Sequence, residues 1–138
     1  MRVLAIDVGT KTIGVAISDK TNTIASPLKV IRFKDLSLAV KELMNIINSY
    51  ELGEIVIGLP KNMDNSLGYA TERSITFKKE LEKLTKVPTI LMDERLTSKE
   101  AENILIENDY RRDKRKKEID AVAAVLILEM YLKSERKQ

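Results

Sequence analysis

Histidine, cysteine and tryptophan are all absent from this 138-residue chain. Their absence excludes disulfide scaffolds, zinc fingers, thiol nucleophiles and every Ser-His-Asp arrangement. Chemistry must therefore come from carboxylates, hydroxyls, lysine or arginine, and a bound metal would be held through oxygen, which favours Mg²⁺ or Mn²⁺. Four tyrosines and two phenylalanines are too few for an aromatic platform on which bases stack. No run approaches the ~20 apolar residues that span a bilayer, and the opening Met1-Arg2-Val3-Leu4 lacks a secretory signal's apolar core and cleavage site. A cytoplasmic protein with no membrane partner is expected.

What is present suits one domain over residues 1–138, since 43% apolar residues can build a core. The net charge is only +3. It is unevenly spread: Arg111, Arg112, Lys114, Arg115, Lys116 and Lys117 crowd together, interrupted only by Asp113.

Periodicity and turn chemistry predict strands over 2–8, 12–18 and about 24–33, joined by Gly9-Thr10-Lys11 and Asp19-Lys20-Thr21-Asn22. A wide apolar face predicts a helix from Leu36 to Ile47, with Ser37 as a candidate cap. A buried strand over 55–59 stops at Pro60, followed by a polar loop. A second helix is expected from about Leu67 to Leu84, with Ala70, Ile75, Phe77 and Leu81 as buried candidates. A strand over 89–94 follows, then a helix capped by Thr97 or Ser98 that carries Ala101, Ile104 and Leu105, and a last helix from about Lys117 to Ser134. The fold class is α/β: three antiparallel strands, then two parallel crossovers, in a mixed five-stranded sheet flanked by helices.

Three acidic residues stand where burial makes charge costly. Asp7 ends the first strand after four apolar residues, Asp93-Glu94 end the last strand, and Asp120 precedes the apolar stretch Ala121–Leu128. With the first and last strands as neighbours, both ends open into one crevice, where open α/β sheets bind ligands. Alternation lets only one of Asp93 and Glu94 face the same site as Asp7. Asp120 shares a helix face with Ala123, Ala124 and Ile127, small or apolar residues that allow close approach to the sheet. Converging carboxylates repel, and divalent cations would relieve them; two such ions about 4 Å apart can act on a phosphodiester without histidine. Plainer alternatives exist for each: Asp7 bonded to the Gly9-Thr10 amides, Asp120 as a helix N-cap, and Asp93-Glu94-Arg95 as a strand-end ion pair.

Gly9-Thr10-Lys11 could offer amides and a lysine to phosphate, or be a tight hairpin that needs glycine. Lys61 and Asn62 sit in the loop after a strand end, and Arg95 could bind phosphate or steady Glu94. The run Arg111–Lys117 would contact several phosphates, or be an ordinary solvated loop.

The blocks Asp7-Val8-Gly9-Thr10-Lys11-Thr12-Ile13-Gly14-Val15-Ala16, Gly58-Leu59-Pro60-Lys61-Asn62-Met63-Asp64, Asp93-Glu94-Arg95-Leu96-Thr97 and Lys116-Lys117 with Asp120-Ala121-Val122-Ala123-Ala124 resemble the YqgF (RuvX) family over nearly the whole chain. That family comprises Holliday-junction-resolvase-like nucleases of pre-16S rRNA maturation with an RNase H-like fold. The resemblance implies that Asp7, Glu94 and Asp120 form a metal-binding catalytic triad, choosing Glu94 over Asp93. RuvC-type resolvases carry a further acidic residue where Ala123 and Ala124 stand here, leaving this site one carboxylate short.

The expectation is a metal-dependent endonuclease acting on structured nucleic acid, with pre-rRNA favoured over branched DNA, the small ribosomal subunit as a partner, and a monomer or weak homodimer as the working form. Two alternatives remain. Asp7-x-Gly9-Thr10-x-x-x-Gly14-Val15 also resembles the first phosphate motif of actin-type ATPases and sugar kinases, which need two such domains. A non-catalytic nucleic-acid-binding or ribosome-binding module would keep the fold with little turnover.

Overall fold

The structure, a computed structural model, describes residues 1–59, 69–93 and 112–136. Strands β1 (Arg2–Val8), β2 (Thr12–Ser18) and β3 (Ala25–Arg32) form the expected antiparallel meander. Strands β4 (Leu52–Leu59) and β5 (Thr89–Asp93) extend it in parallel beyond β1, giving the order β3-β2-β1-β4-β5. Hence β4 separates β1 from β5, and the first and last strands are not neighbours. Each crossover adds its strand one place further out, yet β1, β4 and β5 run parallel and end at the same edge.

Alternating side chains of the central strand β1 feed two cores. Leu4, Ile6 and Val8 pack with Ala39, Leu43 and Ile47 of α1 (Leu36–Ser49) and with Phe77 and Leu81 of α2 (Tyr69–Leu84). On the opposite face Val3 and Ala5 join Ala16 and Val56 beneath Ala124, Ile127, Leu128, Tyr131 and Leu132 of α3 (Arg112–Arg136).

Several boundaries differ from the sequence expectation for local reasons. The cap of α1 is Asp35, not Ser37: the Asp35 carboxylate accepts the Ser37 amide at 3.0 Å and the Ser37 hydroxyl at 2.9 Å. In α2 the buried stripe includes Ser74, fully buried beside Phe77 and Leu81, while Ile75 is half-buried. β4 starts at Leu52 because the register jumps from Arg2↔Leu52 to Val3↔Glu54. The extra residue is Gly53, where an added Cβ would come within 3.2 Å of Met1 Cβ. Ser18 Oγ accepts the Val3 amide at 2.8 Å beside this bulge and donates to Asn22 Oδ1 at 2.6 Å.

Helix α3 begins at Arg112, not near Lys117, so Arg112 and Lys114–Lys117 are helical rather than a loop. Lysine, arginine and glutamate are good helix formers, and Asp113 precedes Lys117 by the favourable four positions. The expected helix after Thr97 lies outside the described residues. Among the described residues no helix is long and apolar enough to cross a membrane.

Candidate functional site

Asp7 lies one residue from the C-terminal end of β1, half-buried after the buried run Val3–Ile6. It alternates with Val3 and Ala5, which puts it on the face that α3 covers. Its partner across the antiparallel ladder is Gly14. On the parallel side Ile6 pairs with Ile57, and the next residue of β4 is Gly58. Neither neighbouring strand therefore sets a side chain beside Asp7 at its own level. The sequence signal for both positions is a glycine within a strand, which marks close approach.

The turn after Asp7 is tight. The Gly9 amide donates to the Thr12 carbonyl at 2.8 Å and so closes the hairpin. A Cβ at Gly9 would meet the Thr12 carbonyl oxygen at 3.0 Å, which gives glycine a packing reason there. Lys11 is exposed at the turn, and its carbonyl accepts the Phe33 amide at 3.0 Å. That bond anchors the hairpin to the chain just after β3.

Helix α3 carries Asp120 above the same face. The buried Ala123 and Ala124, the latter packed with Val3, Ala5 and Ala16, stand one turn after it. Two contacts fix the direction of the helix. Tyr131 donates its hydroxyl to Glu54, the ladder partner of Val3, and Glu129, Leu132 and Lys133 line a cleft with Thr23, Ile24 and Ala25 beside the β2–β3 turn. The C-terminal half of α3 thus lies where β1 begins, and its N-terminal half runs toward the end that carries Asp7. From Val3 to Asp7 is about 13 Å of strand, and from Tyr131 back to Asp120 is about 16 Å of helix. The 25 residues of α3 span about 37 Å against about 23 Å for β1.

In β5, Leu91 packs with the α1–α2 core and Met92 with the α3 core, as expected from alternation, so Met92 shares the face of Asp7. Asp93 is the last described residue of this strand; Glu94, Arg95, Lys61, Asn62 and Arg111 lie outside the described residues. Among the described residues no group of three acidic side chains is assembled. A pocket of about 430 Å³ lined by Arg2, Lys20, Tyr50 and Glu51 opens at the start of β1, away from Asp7.

The sequence matches the profile of RuvX, described as Holliday junction resolvase, over residues 1–134. The chain belongs to the RuvX family. A relative from Caldanaerobacter subterraneus subsp. tengcongensis, named "Putative pre-16S rRNA nuclease", is 47% identical over 137 residues, covering 99% of each chain. One of the same name from Bacillus subtilis is 45% identical over 136 residues, covering 97% of this chain and 99% of its own. Among solved structures, Thermus thermophilus RuvC bound to a Holliday junction substrate aligns with a TM-score of 0.67 at 12% identity, over 99% of this chain and 96% of that one. The Fowlpox virus resolvase complexed with Holliday junction DNA aligns with a TM-score of 0.63 at 15% identity, over 98% and 99%. The RuvX chain thus has the RNase H-like fold of these resolvases, with Asp7 on the face that α3 covers.

Proposed function

We propose that this RuvX chain is a single-domain, cytoplasmic, metal-dependent endonuclease that cuts structured RNA, processing the 5′ end of pre-16S rRNA during assembly of the small ribosomal subunit and working as a monomer or weak homodimer. The observation that carries the reading is Asp7 at the end of the central strand, flanked by glycines, beneath the helix that bears Asp120. Glu94 is assigned as the third ligand. It stands two positions after Met92 in sequence, and a strand that kept its alternation would give it Asp7's face.

The donor chemistry fits Mg²⁺ or Mn²⁺: Asp7 offers hard oxygen at a half-buried site, and the chain has no softer histidine or cysteine ligand. Divalent cations there would stabilise charge on the phosphodiester and lower the cost of activating water. Asp7, Glu94 and Asp120 would hold those cations, and water would add to the phosphorus as its bond to the 3′ oxygen breaks, so that the 3′ oxygen departs with a proton and the 5′ side keeps the phosphate. Lys11, Lys61, Asn62, Arg95 and the segment Arg111, Arg112, Lys114, Arg115, Lys116 and Lys117 would hold flanking phosphates. Such contacts read backbone and shape rather than sequence.

Junction resolution is the less favoured reading. Ala124 is fully buried against the sheet, at one of the two helix positions where the RuvC-type resolvases carry a further carboxylate. The test is incubation with precursor small-subunit rRNA and, in parallel, a four-way DNA junction, with and without chelator. Chelator-sensitive RNA cuts with 5′-phosphate ends and intact junctions are expected. Cleavage that persists in chelator would overturn the metal reading, and RNA binding without cutting would replace the nuclease by a non-catalytic module.

A further inference from the structure

Tyr131 is almost fully buried on α3, and its hydroxyl donates to Glu54 Oε2 of β4, 77 positions away in sequence. Around this bond the interface is apolar, built from Val3, Ala5, Val56, Ala124 and Leu128. Apolar burial is non-directional, whereas a hydrogen bond between a hydroxyl and a carboxyl oxygen fixes a position. Glu54 is level with Val3 on the strand that leads to Asp7. Eleven positions separate Tyr131 from Asp120, which returns the helix to within about 20° of the same face. The same helix therefore carries the polar anchor and, about 16 Å before it along the axis, position 120.

We propose that the Tyr131–Glu54 bond is a register pin that sets how far α3 reaches along the sheet, and so where Asp120 arrives relative to Asp7. Both are positioning residues. The inference rests on the reading of Asp7 and Asp120 as cation ligands, but it has a consequence independent of that reading. Sliding or tilting of α3 must change the distance between the exposed positions Lys11 and Lys133, at opposite ends of the face.

The chain has no cysteine, so spin labels can be attached cleanly through Lys11→Cys and Lys133→Cys. Tyr131→Phe, which keeps the ring, should broaden the label distance distribution and weaken Mn²⁺ binding measured by calorimetry by about 10- to 100-fold, as for other partners that orient ligands. Glu54→Gln, which keeps an acceptor oxygen, should fall between wild type and Tyr131→Phe in both readouts. A Tyr131→Phe protein with the wild-type distance distribution and Mn²⁺ affinity would overturn the pin, even if it melts earlier. A wild type that binds no Mn²⁺ while Tyr131→Phe still broadens the distances would sink the cation reading and keep the pin.

Discussion

Asp7 stands directly opposite Gly14 in the β1–β2 ladder. Opposed residues in such a pair place their Cβ atoms about 4.5–5.5 Å apart, so any side chain at position 14 would press on the Asp7 carboxylate or on what it binds.

Gly14→Ala should therefore weaken Mn²⁺ binding about tenfold, equivalent to about 1.4 kcal/mol. Folding stability should change by no more than about 1 kcal/mol, since the loss of chain flexibility offsets some crowding. Calorimetry paired with urea unfolding checks this, and undiminished affinity would show that the space beside Asp7 is not used.

The β2–β3 turn gives a pH prediction. Asp19 accepts the Ile24 amide at 3.0 Å, the Thr21 hydroxyl at 2.5 Å and the Thr23 amide at 2.7 Å, which lower its pKa from 3.8 to about 2. Because the folded value is the depressed one, this contribution is complete above about pH 4 and is lost as pH falls toward about 2. Asp35 is shifted in the same direction, first by the Ser37 hydroxyl and then by its amide. Asp19→Ala should be less stable than wild type at neutral pH, and thermal melts should show the gap closing between pH 4 and 2. A gap that stays constant would mean the carboxylate's charge contributes nothing.

The helical setting of the basic run yields a salt prediction. Arg112, Lys114 and Arg115 lie in the first turn of α3. Replacing all three by glutamine should reduce the slope of log K against log salt for structured RNA by about 2 to 3. The loss should be similar across sequences. An unchanged slope, or a loss confined to one sequence, would argue against phosphate contacts.

The meander was legible because three short alternating runs separated by turn residues admit few other pairings. The two cores were largely legible too, since Ala123, Ala124, Ile127, Phe77 and Leu81 are buried where periodicity put them. Three features were not. The strand order was misjudged because nothing local in 89–93 says that β4 intervenes before β1. The start of α3 was missed because charge density alone cannot separate a solvated loop from a solvated helix. The Tyr131–Glu54 bond was hidden by the bulge at Gly53, which reverses the alternation of β4 so that Leu52 and Ile55 both join the α1–α2 core. Of the candidate triad, Asp7 and the helix position of Asp120 are placed, while Glu94 lies outside the described residues.

The central claim is that Asp7 and Asp120 together hold a divalent cation, and Mn²⁺ calorimetry on wild type, Asp7→Asn and Asp120→Asn tests it most directly. Each replacement should weaken binding by more than about 100-fold, beyond the loss typical of residues that only orient ligands. Melting temperatures should hold or rise, because under the proposed triad each replacement removes one of three mutually repelling carboxylates. Wild-type Mn²⁺ affinity in either folded variant would contradict the account.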